Sequence, residues 1–291
     1  MSLTKFLDPK NDVAFKKIFG TEKNKDILIH FLNDMLVFKE QKPIVDVSFL
    51  KTVQDPDISS KKTSVVDVLC TDQDKNTYVV EMQVASHSGF EKRAQYYASK
   101  AYTSQANKGG EYHHLKEVIF IAISDFIMFP DKEAYKSDHV ILDRDSYEND
   151  LKDFSFTFIE LPKFNIDIDH LSNMTQKWCY FFKHAETTSM EDMLKLISGD
   201  EILEKAYKVL DSVLWNDDEL RTYNQTEKYE GAYHASMAQK FDEGKIEGKI
   251  EGIEEGKRNM ARSMLQRKLD VLLIADITGF TLDQISRISQ E

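Results

Sequence analysis

The chain has 291 residues, 41% of them hydrophobic, and a formal net charge of −12. That length supports a sizeable core, with room for one large domain and an appendage, and the acid excess excludes a uniformly basic nucleic-acid coat, because phosphate contacts are made by Lys and Arg. Two cysteines, Cys70 and Cys179, are too few and too far apart for a disulfide framework or a zinc site.

The acid is unevenly spread. Residues 1–116 hold 17 Lys and Arg against 15 Asp and Glu, so the excess lies downstream. Any upstream acid that ligates a metal is further offset by the bound cation. The longest apolar runs, such as Val118–Ile123, stop far short of the roughly 20 residues a membrane span needs, and Lys5, Asp8 and Lys10 stand where a signal-peptide core would be. A soluble, cytoplasmic protein without membrane contact is expected.

In chain order, Asp12 to Phe19 and Asn24 to Leu36 carry apolar residues at helical spacing. Three β-type runs follow, Ile44 to Leu50, Thr63 to Cys70 and Thr77 to Ala85, and the polar stretch Thr71 to Asn76 makes the last two a hairpin. Gly89 to Lys108 reads as a helix stopped by Gly109 and Gly110. Val118 to Ser124 suits a strand buried on both faces; His139 to Leu142 and Phe154 to Leu161 are further strands, the second closed by Pro162. Helices, antiparallel strands, a helix and a buried strand predict an α/β or α+β mixed sheet flanked by helices. From about Asp169 the pattern is almost wholly helical, which puts an expected boundary near residues 163–170.

Asp67 sits alone in an apolar run, as does Glu81, and alternation along a strand puts Glu81 and Gln83 on one face. An ionised carboxylate in such a place persists only if it is paired, cation-bound or exposed at an edge. A hard cation such as Mg²⁺ shared between the two acids resolves their mutual repulsion. A wet sheet face also carries Asp, Glu and Gln for solubility alone, so the spacing by itself does not decide.

More specific are several blocks in fixed order: Pro9-Lys10-Asn11-Asp12-Val13-Ala14-Phe15-Lys16-Lys17-Ile18-Phe19-Gly20, Asp67 with Glu81-Met82-Gln83-Val84, Arg93-Ala94-Gln95-Tyr96-Tyr97-Ala98-Ser99-Lys100 with Gln105, and a Glu-Gly-rich C-terminal segment. Together they resemble the recombination-promoting nuclease and putative transposase family of the PD-(D/E)XK superfamily. The resemblance implies a restriction-endonuclease-like core over residues 1–165, and the pattern downstream gives a helical region over 166–240 and an assembly or linker segment over 241–291. It implies a metal-dependent DNA endonuclease linked to recombination or mobile elements, with Mg²⁺, Mn²⁺ or Ca²⁺ held by Asp67, Glu81 and the Met82 carbonyl. The rival reading is a noncatalytic DNA-binding or self-assembling protein on the same fold.

Gln83 stands at the superfamily's lysine position. It is expected to orient the attacking water through hydrogen bonds, since an amide carries no charge. Asp12 is either an additional catalytic acid or an N-cap or first-turn acid stabilised by the dipole of the first helix. Arg93, Tyr97 and Gln105 approach one helix face and are candidates for substrate contact, against a structural salt bridge and packing. Lys16, Lys17, Lys61, Lys62, Lys92 and Lys100 are candidate phosphate contacts, and His113 and His114 receive no catalytic role.

Gly244, Gly248, Gly252 and Gly256 recur every four residues, each preceded by Glu. Interior glycine costs a helix about 1 kcal/mol each, so the segment is read either as a homodimer seam, where close approach of a second helix offsets that cost, or as a flexible linker. Leu265 to Ile288 reads as two short helices with Thr281 as a cap, suited to packing or assembly more than to a DNA-reading helix-turn-helix.

Overall fold

The structure, a computed structural model, describes residues 5–36, 42–54, 64–86, 89–106 and 111–289. Lys61, Lys62, Gly109 and Gly110 lie outside the described residues. In order the elements are α1 (Asp12–Phe19), α2 (Lys25–Met35), β1 (Val47–Phe49), β2 (Val53–Gln54), β3 (Ser64–Val65), β4 (Val68–Asp72), β5 (Thr77–Gln83), α3 (Phe90–Thr103), β6 (Val118–Ser124), β7 (Lys136–Val140) and β8 (Phe154–Glu160). The helices α4 (Met174–His184), α5 (Met190–Ile197), α6 (Glu201–Leu210), α7 (Asp217–Gln266), α8 (Val271–Thr278) and α9 (Leu282–Ile288) follow.

Six of the described strands form one mixed sheet in the order β1-β4-β5-β6-β8-β7. The β5–β6 and β6–β8 pairs are parallel and the others antiparallel. Together with its flanking helices and helical C-terminal region this is an α/β fold of the expected PD-(D/E)XK type. Strand β6 is buried along its whole length, as a strand flanked by two parallel neighbours and covered on both faces must be.

The two faces of the sheet are closed differently. On one, Tyr78, Val80, Met82, Ile121 and Ile123 meet an aromatic layer from α1, α2, α4 and α6. Phe19 and Phe31 stand 5.0 Å apart, Trp178 lies edge-on to Phe31 at 5.5 Å, and Tyr207 to Phe181 at 5.0 Å. Each fully buried side chain of this size contributes about 1.5–3 kcal/mol. On the other face, Ala94, Ala98 and Ala101 let α3 lie close over Val79, Val118, Phe120 and Ala122.

Residues 166–228, expected to stand apart as a helical region, belong to the same compact unit as the sheet, which runs from residue 1 to Lys228. The change to helical pattern reflects a change of secondary structure, while α4 and α6 share the aromatic core of α1 and α2. The second compact unit is Tyr229–Glu291. Within it, Ala261, Ile274, Ile285 and Ile288 make a small core. Thr281 closes a capping box with Gln284, and Gly279, at φ +72°, ends α8. The four repeat glycines lie in continuous helix, and a Cβ added at any of them would meet nothing within 4 Å. Among the described residues no helix is long and apolar enough to cross a membrane.

Candidate active site

The hairpin puts the two acids together, though not by simple alternation. Val66 and Val68, which a regular strand would put on the same face, lie in the two different cores, and the residues between β3 and β4 leave the ladder. The interruption frees Asp67 to turn toward β5, where its Oδ2 accepts the Met82 N–H at 2.9 Å. Irregularities of this kind next to sites re-aim a side chain. A strand residue directs its N–H and C=O toward the same neighbour, so the Met82 carbonyl faces the Asp67 edge as well.

Glu81 is 5% exposed, and its Oε1 has no hydrogen-bond partner. Burial, followed by the charge of Asp67, pushes its carboxyl well above the usual range, against the opposing pull of Arg93 and the Asp67 backbone N–H. Asp67 rises to about 6, mainly through burial, although the Met82 N–H and Lys16 pull it down. Two desolvated acids that interact electrostatically, one with an unpartnered oxygen, are a setting that suits a cation.

Helix α1 completes the acid cluster. Its cap is Asn11, whose side chain accepts the Val13 N–H at 3.0 Å; Asp12 is therefore a first-turn residue and not the cap. Lys16 Nζ lies 2.6 Å from Asp12 and 3.5 Å from Asp67, and Asp12 and Asp67 also interact through their side chains. Burial opposes the Lys16 charge, yet these two acids hold its pKa above the usual lysine range. The lysine ammonium thus stands among the carboxylates as a built-in cation. Its i, i+4 spacing from Asp12 was legible in sequence, but its reach to Asp67 was not.

From the other side, Gln83 Nε2 donates to the Ala85 carbonyl at 2.9 Å while Gln83 Oε1 accepts from Arg93 Nη2. The Arg93 guanidinium carbon lies 4.7 Å from the Phe90 ring centre and 5.8 Å from that of Tyr97. Burial raises the Tyr97 hydroxyl pKa, with Arg93 opposing. Asp12, Lys16, Asp67, Glu81, Met82, Gln83, Arg93 and Tyr97 therefore gather around the C-terminal end of β5.

Against known families, the model for the PD-(D/E)XK nuclease family transposase matches residues 9–239. The chain belongs to this family. No curated protein and no solved structure matches it.

Membership covers both the acid cluster and the helices packed behind it, since the match runs past α6 into α7. Two candidates lie elsewhere. Gln105, beyond the end of α3, accepts the Lys116 N–H at 2.8 Å and approaches Thr77 Oγ1 at 3.4 Å; it ties down the opposite end of β5, a strand length away from Glu81. Lys17, next to Lys16 on a helix, points about 100° away from it, and it pairs with Glu219 at 2.6 Å and stacks over Trp215 at 4.0 Å. His113 and His114 meet Glu111 in an exposed turn, with His113 Nδ1 3.2 Å from its carboxylate, well separated in sequence from the acid cluster.

Proposed function

We propose that this family member is a divalent-cation-dependent DNA endonuclease that hydrolyses phosphodiester bonds in recombination or mobile-element biology. The observation that carries the reading is the convergence of Asp12, Asp67 and Glu81, with a buried Glu81 oxygen left without a partner. The donor set fits a hard cation: carboxylate oxygens and a backbone carbonyl suit Mg²⁺, Mn²⁺ or Ca²⁺.

Asp67, Glu81 and the Met82 carbonyl would hold the cation, with Asp12 as a further acid at the rim. When bound, such a cation lowers the pKa of water and offsets charge on phosphate oxygens. The remaining work falls to the chain. Met82 N–H fixes the Asp67 carboxylate, the desolvated walls of Val66, Val79 and Phe90 strengthen the local field, and Lys16 keeps Asp12 and Asp67 together before a cation arrives.

The test is incubation of supercoiled plasmid with wild type and Asp67→Asn in Mg²⁺, Mn²⁺, Ca²⁺ or chelator. Cleavage by wild type in Mg²⁺ or Mn²⁺, absent with chelator and in the variant, is expected. Equal cleavage by both proteins would assign the activity to another site or a contaminant; DNA binding without cleavage would favour the noncatalytic reading.

We also propose that α7 is a homodimer seam. Ile246, Ile250 and Ile253 are 61%, 59% and 53% exposed beside glycines whose missing side chains nothing in the chain fills. Sedimentation should give twice the monomer mass for the full chain, and Gly248→Leu should reduce it. A monomer in both cases removes the idea.

A further inference from the structure

Strand β5 presents Glu81 and, two residues on, a neutral amide in place of a positive charge. Both ends of that amide are engaged by the protein, the nitrogen donating to the Ala85 carbonyl and the oxygen accepting from Arg93, so its orientation is fixed. Through its oxygen it holds the guanidinium. Arg93 is further fixed between the Phe90 and Tyr97 rings, and its buried Nε meets no acceptor. Among the described residues no carboxylate lies within ion-pair distance of it. Lys16, the other cation at the site, is already spent on Asp12 and Asp67.

Arg93 is therefore a preorganised charge with a donor in reserve, beside the acids that would hold the cation. Phosphodiester hydrolysis needs such a group. The water oxygen bonds to phosphorus, one phosphorus–oxygen ester bond breaks, the departing oxygen leaves as a hydroxyl, and the displaced proton passes to solvent. Negative charge grows on the phosphoryl oxygens at the transition state, and a planar fork of donors aimed there stabilises it. Resting on the nuclease reading above, we propose that Arg93 is the catalytic cation that contacts the scissile phosphate, and that Gln83 is the positioning residue that aims it.

The experiment follows steady-state cleavage of a duplex in Mn²⁺ by wild type, Arg93→Gln, Arg93→Lys and the double variant Gln83→Lys/Arg93→Gln. Mn²⁺ binding to each is measured by calorimetry without DNA, and folding by thermal melting. Arg93→Gln should lower kcat by about 10²–10³-fold and leave KM and Mn²⁺ binding nearly unchanged. Arg93→Lys keeps the charge but loses the fork and the ring contacts, and should fall between wild type and Arg93→Gln. The double variant returns a charge to the strand and should recover kcat by at least about tenfold over Arg93→Gln. An Arg93→Gln enzyme as fast as wild type, a kcat loss that comes with lost Mn²⁺ binding, or no recovery in the double variant would each overturn the assignment. In all three the nuclease reading survives if wild type still shows Asp67-dependent cleavage; wild type without it overturns both.

Discussion

Two glutamates are buried in this sheet, two strands apart, and they live in opposite circumstances. Glu160, at the end of β8, is 1% exposed and fully satisfied: Oε1 accepts the N–H groups of Met128 and Phe129, and Oε2 takes the Lys163 ammonium at 2.7 Å. Glu81, in β5, is nearly as buried but faces another acid, with one oxygen unpartnered. The first arrangement commits both oxygens to holding a corner of the fold together. The second keeps one in reserve at the expense of stability, which is what a ligand site requires. Burial of a charge is thus a poor marker of function, whereas burial without satisfaction is a good one.

The sharpest way to break this contrast is to remove each acid in turn. Glu160→Ala leaves the Lys163 ammonium buried and unpaired, so a loss of about 3–5 kcal/mol is expected in urea unfolding. Glu81→Gln should show no comparable loss; if it destabilises as much as Glu160→Ala, Glu81 is a structural acid after all.

Activity should respond in the reverse sense. Glu81→Gln preserves shape while removing the charge proposed to face a cation, and a fall in cleavage of about 10²–10³-fold is expected. Glu160→Gln, assayed below its melting temperature, should cleave at the wild-type rate. Similar rates for the two variants would dissolve the distinction.

The smallest effect is the dependence of stability on pH. With Asp67 near 6 in the folded chain and near 3.8 when unfolded, the folded state binds more protons between those values. Stability is then lost as pH rises through that window. Asp67→Asn removes the effect, so in cation-free buffer its advantage over wild type should grow from pH 4 to about pH 6.5, reaching about 1–3 kcal/mol. A constant difference across that range would mean that Asp67 is already ionised at the lower end.

Sequence carried the strand with Glu81 and its hairpin partner, because period-two alternation and a polar turn are local signals. It located Asp67 but misjudged the path: the break between β3 and β4 that places Val66 and Val68 in different cores arises from the Met82 contact, a tertiary event. Gln105 was drawn toward the site by continuing the helical period past Thr103, where α3 ends. Lys17 looked equivalent to Lys16 until packing distinguished them. The Gln83–Arg93 contact joins a strand to a helix ten residues on, and no periodicity encodes it. Glu160 gave no sequence signal at all, since its partners come from a loop 31 and 32 residues upstream as well as from its own turn.

The Asp67 carboxylate occupies the place where a neighbouring strand's carbonyl would otherwise meet the Met82 N–H. The pairing of the hairpin and the assembly of the acids are therefore a single event. A slip of β5 by one residue would turn Glu81 toward the aromatic layer and Met82 toward Arg93, since side-chain direction reverses at every step. On the proposed reading, affinity for a divalent ion would then report, molecule by molecule, on whether the chain had found its correct alignment.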